Sequence, residues 1–91
     1  MHNQPMISMK FEKGDYALDE NEPTASPEAN TVKILQTTEK EANEFIVGET
    51  GKTVAEHNSW YPEDDYVVIG YYPNMGGDKE FAFPESRLSK V

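Results

Sequence analysis

The run DDYVVIGYYP, followed after a short break by KEFAFPESRL, restricts the fold of this chain more than any other feature. Between Asp65 and Val91 it concentrates Tyr66, Val67, Val68, Ile69, Tyr71, Tyr72, Phe81 and Phe83. Such β-branched and aromatic side chains fit a pleated, half-buried surface. The pattern predicts two strands joined by the turn Asn74-Met75-Gly76-Gly77-Asp78 and closed by a single proline-led helical turn near 84–88. An apolar fraction of only 36% over 91 residues allows one modest core. The expected fold is therefore mainly β: a small antiparallel sheet of about five strands, α+β if a short helix near 54–58 forms.

Upstream, Ile7, Met9 and Phe11 alternate with Ser8, Lys10 and Glu12, the period of a strand with one buried face. Gly14-Asp15 supplies a turn, and Tyr16, Ala17 and Leu18 would return to form a hairpin. Asp19 to Asn30 holds two prolines, four acids and only small apolar residues, too little to offset the entropy of ordering. The expected organisation is an N-terminal segment over 1–18, a flexible acidic linker or loop over 19–30 and a β-rich domain over 31–91. Thr31 to Thr38 reads as a strand with Val32, Ile34 and Gln36 on one face. A polar turn at Glu39 to Glu41 and a strand at Glu44 to Val47 would complete a hairpin, followed by a turn at Gly48 to Gly51.

Thr53-Val54-Ala55-Glu56 has the spacing of a capping box, in which a threonine hydroxyl and a glutamate carboxylate satisfy each other's backbone N–H groups. A helical turn over 54–58, stopped by Asn58, is preferred to the rival strand through Lys52, Thr53 and Val54 pairing with Phe45 to Val47.

Charge narrows the partners. Seventeen acids against eight bases give −9, spread along the chain, with no basic stripe of the sort that neutralises phosphates. Nucleic-acid binding is disfavoured. Without cysteine there is no disulfide framework and no thiolate zinc site. No run approaches the length needed to cross a bilayer, and the N-terminus lacks an export pattern. The expected location is cytoplasmic.

The chemistry-bearing candidates are few. His57 lies in sequence near Glu56, Glu63, Asp64 and Asp65, material for a divalent-metal site or a general base. One internal histidine without cysteine falls short of a typical zinc set, and the adjacent Asp64 and Asp65 point to opposite faces of a strand. Neither Ser59 nor Ser86 sits in a nucleophile elbow, and the glycines follow no phosphate-loop spacing. No cofactor is expected, an enzyme is disfavoured, and any cations on the acidic surface would be nonspecific. Polar-tipped aromatics are enriched at protein interfaces, so Trp60, Tyr61, Tyr66, Tyr72 and the single arginine, Arg87, form the candidate interaction surface. The bland reading covers both faces of the sheet and gives Arg87 only a surface bridge to a carboxylate, worth about 0–1 kcal/mol.

Thr53-Val54-Ala55-Glu56-His57-Asn58, Tyr61-Pro62-Glu63-Asp64-Asp65 and Phe83-Pro84-Glu85-Ser86-Arg87-Leu88 resemble, in the same order, a group of small acidic uncharacterised proteins of halophilic archaea. The resemblance spans Thr31 to Leu88 and carries no activity with it, and the lysine-rich balance departs from it; the even acidic charge itself fits either adaptation to high salt or ordinary solubility. A second likeness is to SH3-type small barrels, with five short strands and a proline-led 3₁₀ turn ahead of the last. It implies a partly open SH3-like barrel and does not specify function. The functional expectation is a small protein-interaction module that binds an unknown partner or a second copy of itself. The alternatives are an acidic nucleic-acid-mimicking decoy for a basic protein and a small metal-dependent enzyme using His57, Asp64 and Asp65.

Overall fold

The computed structural model describes residues 10–21 and 28–91. Its strands are β1 (Tyr16–Asp19), β2 (Thr31–Glu41), β3 (Tyr66–Tyr71), β4 (Phe81–Pro84) and β5 (Leu88–Lys90), with one helical turn, α1 (Val54–His57), and a 3₁₀ turn at Glu85–Arg87. All pairings are antiparallel, and the strands form one open sheet in the order β4-β3-β2-β1-β5. The mainly β architecture, the short helix and the single turn ahead of the last strand are all as expected. Among the described residues no helix is long and apolar enough to cross a membrane.

The β3–β4 hairpin forms as the sequence indicates, with Val68 opposite Phe83 and Ile69 opposite Ala82. Its alternation feeds two cores, one on each side of the sheet. Phe11, Ala17, Val32, Ile34, Val68, Phe83 and Leu88 pack on one face, with Tyr72 against them. Val67, Ala42 and Val54 pack on the other, joined by Phe45, Val47, Ala55, Ile69 and Ala82. Gly70 permits the close approach of β3 to β2: a Cβ there would lie 2.6 Å from Val32 Cγ1 and 2.7 Å from the Lys33 carbonyl oxygen.

Several local expectations are overturned. Glu39 to Glu41 is no turn, because β2 runs on to Glu41, and Glu44 to Val47 is not a strand. The hairpin partner of β2 is β3, reached through an excursion over residues 42–65. That excursion is tied at its neck by Ala42 N–H to Asp65 O (2.8 Å) and Asn43 N–H to Glu63 O (2.9 Å). A register shift between Ile34 and Gln36 sets Ile34 opposite Gly70 but Gln36 opposite Ile69. The bulge therefore turns Gln36 away from the face of Val32 and Ile34.

At residues 45–58 the two rival readings coexist. Ile46 bridges Thr53, Val47 N–H reaches Lys52 O at 2.8 Å and Val54 N–H reaches Phe45 O at 2.9 Å. The capping box then starts α1: the Glu56 N–H donates to Thr53 Oγ1 at 3.1 Å, and the Thr53 N–H to Glu56 Oε1 at 2.8 Å. The latter bond also holds the Glu56 carboxyl below its ordinary pKa.

At the N-terminal side, Ile7 and Met9 lie outside the described residues. Lys10 and Phe11 are not strand, although Phe11 is buried. Gly14, at φ +94°, turns the chain into β1, which pairs with β2 and β5 rather than with a strand over 7–11. The segment expected to precede the β-rich domain thus supplies one of its inner strands. Of the expected acidic linker, residues 22–27 lie outside the described residues, and its first member, Asp19, is buried at the end of β1.

Candidate functional site

β1 and β5 run side by side with Asp19 opposite Leu88, which brings Arg87 over the Asp19 carboxylate. Arg87 Nε donates to Asp19 Oδ1 at 2.8 Å and Nη2 to Oδ2 at 2.9 Å. Tyr72 Oη donates to the same Oδ2 at 2.5 Å, and the Asn21 N–H to Oδ1 at 2.9 Å. The third guanidinium nitrogen, Nη1, donates to Asn58 Oδ1 at 2.7 Å, while Asn58 Nδ2 donates to the Val54 carbonyl at 2.9 Å. Asp19 and Asn58 are only 2% and 7% exposed. Asn58 therefore stops α1 and also couples it to Arg87, whose guanidinium lies 5.2 Å from the centre of the Phe83 ring.

This is not the surface bridge anticipated for Arg87. Burial pushes the Asp19 carboxyl up, but hydrogen bonds from Arg87, Tyr72 and the Asn21 N–H, with the guanidinium charge, outweigh it and hold the group below the usual aspartate range. Burial likewise lowers Arg87, and Asp19 more than compensates. Charge-assisted bonds of this geometry are strong and specific to arginine.

Above the network opens a cleft of about 540 Å³. Arg87, Asn58 and Tyr72 form part of its wall, His57 and Thr50 stand on one side, and Phe81 and Met75 form an apolar rim. Phe81 is 40% and Met75 62% exposed. Edge-on stacking of Tyr72 against Phe81 (5.5 Å between centroids) and Phe83 (6.0 Å) fixes the aromatic side. His57 Nε2 lies 2.7 Å from Thr50 Oγ1, tying α1 to the Gly48–Gly51 turn.

The five candidate residues divide. Tyr72 and Arg87 meet in the cleft wall. Trp60 is 88% exposed, Tyr61 is half-buried with its hydroxyl 3.5 Å from Asn21 Oδ1, and Tyr66 is half-buried opposite Glu41. They do not form one aromatic face, because the excursion over 42–65 covers one side of the sheet and the core around Phe11 fills the other. The His57, Asp64 and Asp65 combination does not assemble either. Asp65 Oδ2 accepts the Ser86 N–H at 2.8 Å, away from the Thr50 contact of His57, and the described residues contain no group of three or more His, Asp or Glu able to hold a metal ion. Sequence reasoning missed Asp19, Phe81 and Met75 as site residues. The one available signal was that a lone arginine in so acidic a chain selects a specific carboxylate.

No protein-family model matches the chain, and no curated protein or solved structure matches it.

Proposed function

We propose that the protein is a small protein-interaction module that takes a segment of a partner protein in the cleft beside β4. The observation that carries this reading is the pairing of an exposed apolar rim, Phe81 and Met75, with a wall held rigid by the buried Asp19–Arg87–Tyr72–Asn58 network. Exposed apolar residues rimming a preformed concavity with a few fixed polar groups are the usual anatomy of a recognition site. The rigid wall lowers the ordering cost of binding, and the rim supplies the desolvated contact.

The test is selection from a library of displayed peptides, followed by titration of the selected peptides against the wild type and the Phe81→Ala and Met75→Ala variants. Saturable binding that weakens in both variants, with their far-UV circular dichroism unchanged, supports the module. Peptide binding indifferent to both substitutions refutes it. Binding that vanishes with rising chloride yet ignores Phe81→Ala assigns recognition to the acidic coat instead, as charge-led capture of a basic protein.

A further inference from the structure

The cleft lies along the outer edge of β4 rather than over either face of the sheet. Phe83 belongs to the core that holds Tyr72, with Phe81 stacked beside it, whereas Ala82 packs with Val67 and Ile69 on the opposite side. All three nevertheless line the same cleft.

The ladder decides which backbone groups point into it. The Ile34 N–H donates to Asp15 O at 2.8 Å and its carbonyl accepts from the Gly14 N–H at 2.7 Å, so Ile34 faces β1. Neighbouring residues of an antiparallel strand direct their amides to opposite sides. Lys33 therefore faces Tyr71, Gly70 and Val68 face Phe81 and Phe83, and Ala82 is left pointing outward. The Thr38 hydroxyl on the Val67 carbonyl at 2.7 Å, on the β2 side, agrees with this parity. Among the described residues no hydrogen bond outside the ladder engages Phe81, Ala82 or Phe83.

The other edge of the sheet is treated differently. Lys10 Nζ donates to the outward-facing Leu88 carbonyl at 2.6 Å. A lysine on an edge blocks further strand pairing. Among the described residues no lysine or arginine side chain bonds to the backbone of β4; Lys79, just ahead of it, lies 5.5 Å from the centre of the Phe81 ring and pairs with Glu49 instead.

Resting on the binding-module reading, we infer that β4 accepts an extended segment of a partner protein as a sixth strand, through the Ala82 N–H and C=O, and that this segment alternates apolar residues and carries lysine or arginine at its flanks. Strand addition of this kind draws affinity from main-chain bonds and specificity from alternate side chains. The partner residue opposite Ala82 projects towards Val47, Thr50 and His57. Its two neighbours project with Phe81 towards Tyr72 and Met75, where a second hollow of about 330 Å³ opens beside Gly77 and Lys79. Apolar side chains suit those neighbours and a small polar one the centre. The basic flanks follow from charge. Asp78 and Glu80 are exposed at the approach to β4, Lys79 between them is already paired to Glu49 at 3.2 Å, and the whole chain carries −9. That charge also repels a second copy of the protein from the same edge.

A capped peptide with the core Lys-Val-Thr-Val-Lys is the probe, with versions N-methylated at threonine or carrying glutamate for lysine. Amide exchange and NMR titration of the wild-type protein are the readouts. Ala82→Pro removes the outward N–H without touching a ladder bond. Expected results are slowed exchange at the Ala82 amide on binding and about tenfold weaker affinity for the Ala82→Pro variant and for the N-methyl peptide. That is the equivalent of one net backbone hydrogen bond. The glutamate version should bind more weakly still. Binding that leaves Ala82 exchange unchanged, or an N-methyl peptide that binds equally well, overturns strand addition; the N-methyl comparison needs no variant to fold. If the lysine peptide fails while library-selected peptides bind in a Phe81-dependent way, strand addition falls and the module stands. If neither binds, both fall.

Discussion

Replacing Asp19 by asparagine should destabilise the protein by about 3 kcal/mol. The change keeps side-chain shape and removes one charge. The two oxygens of Asp19 accept four hydrogen bonds, from Arg87 Nε and the Asn21 N–H on Oδ1 and from Tyr72 Oη and Arg87 Nη2 on Oδ2. An amide offers one oxygen, and its nitrogen only donates, so two of the four donors would lose their acceptor. Arg87 would also lose its counterion in a setting where its side chain is 15% exposed and that of Asp19 not at all. Breaking a buried pair from one side costs about 3–5 kcal/mol. Arg87 keeps its bond to Asn58, which puts the expectation at the low end. For a domain of this size, about 3 kcal/mol corresponds to a fall in Tm of roughly 12–24 °C. Urea titration and thermal melts at neutral pH measure it. Acid supplies a signed control. The folded pKa of Asp19 is depressed below its unfolded value, so its contribution is complete above about pH 5 and is lost as pH falls through the unfolded and then the folded pKa. The gap between wild type and variant should therefore hold from pH 7 to about pH 5 and narrow below it. A loss under about 1 kcal/mol at pH 7, or a gap that persists at low pH, would refute the reasoning.

Phe83→Ala should cost about 2–5 kcal/mol, because Phe83 is fully buried between Val68 and Tyr72, and a urea midpoint barely moved would mean the hairpin is not the centre of the core. Gly70→Ala should cost at least about 1–3 kcal/mol by overpacking, since its Cβ would meet the Lys33 carbonyl, which is backbone and cannot swing aside; a neutral outcome in the same titration would contradict the close approach of β3 and β2. Thr53→Ala should cost about 1 kcal/mol through loss of the cap, and hydrogen exchange at the Glu56 amide should report it. We propose that the acidic coat is a salt adaptation; melting temperature should then rise between 0.1 M and 1 M chloride as the Debye length falls from about 10 Å to about 3 Å, and a flat profile would remove that reading.

The sequence made the β3–β4 hairpin, the Thr53 capping box and the proline-led turn legible because each is written in local residues: alternation, a four-residue spacing, a Pro with its followers. What it concealed was pairing across distance. The period-two pattern of Ile7, Met9 and Phe11 pointed to a nearby hairpin for Tyr16 to Leu18, whereas β1 lies between β2 and β5. Glu39 to Glu41 looked like a turn because polarity marks solvent exposure as readily as it marks chain reversal. Trp60 looked like an interface anchor by type, yet stands apart from the cleft. Asp19 was hidden in an acidic run that read as solvated; only its position opposite Leu88, and hence next to Arg87, makes it a site residue.

The pairing of Asp19 with Arg87 spans 68 positions of sequence, and that separation bears on how the chain folds as well as on how it holds together. Contacts of such long range reward the chain only after the entropy of closing a large loop has been met. The β3–β4 hairpin, whose strands are neighbours in sequence, is placed to form early, whereas β5 pairs only with β1 and so docks only once β1 is in place. Folding should accordingly fall in the millisecond-to-second range typical of small β domains. In such a sequence of events the buried ion pair forms late, so Asp19→Asn should leave the refolding rate nearly unchanged and act by accelerating unfolding. The network that holds the wall of the cleft would then act as the catch that keeps a folded molecule from opening, and contribute little to the search that finds the fold.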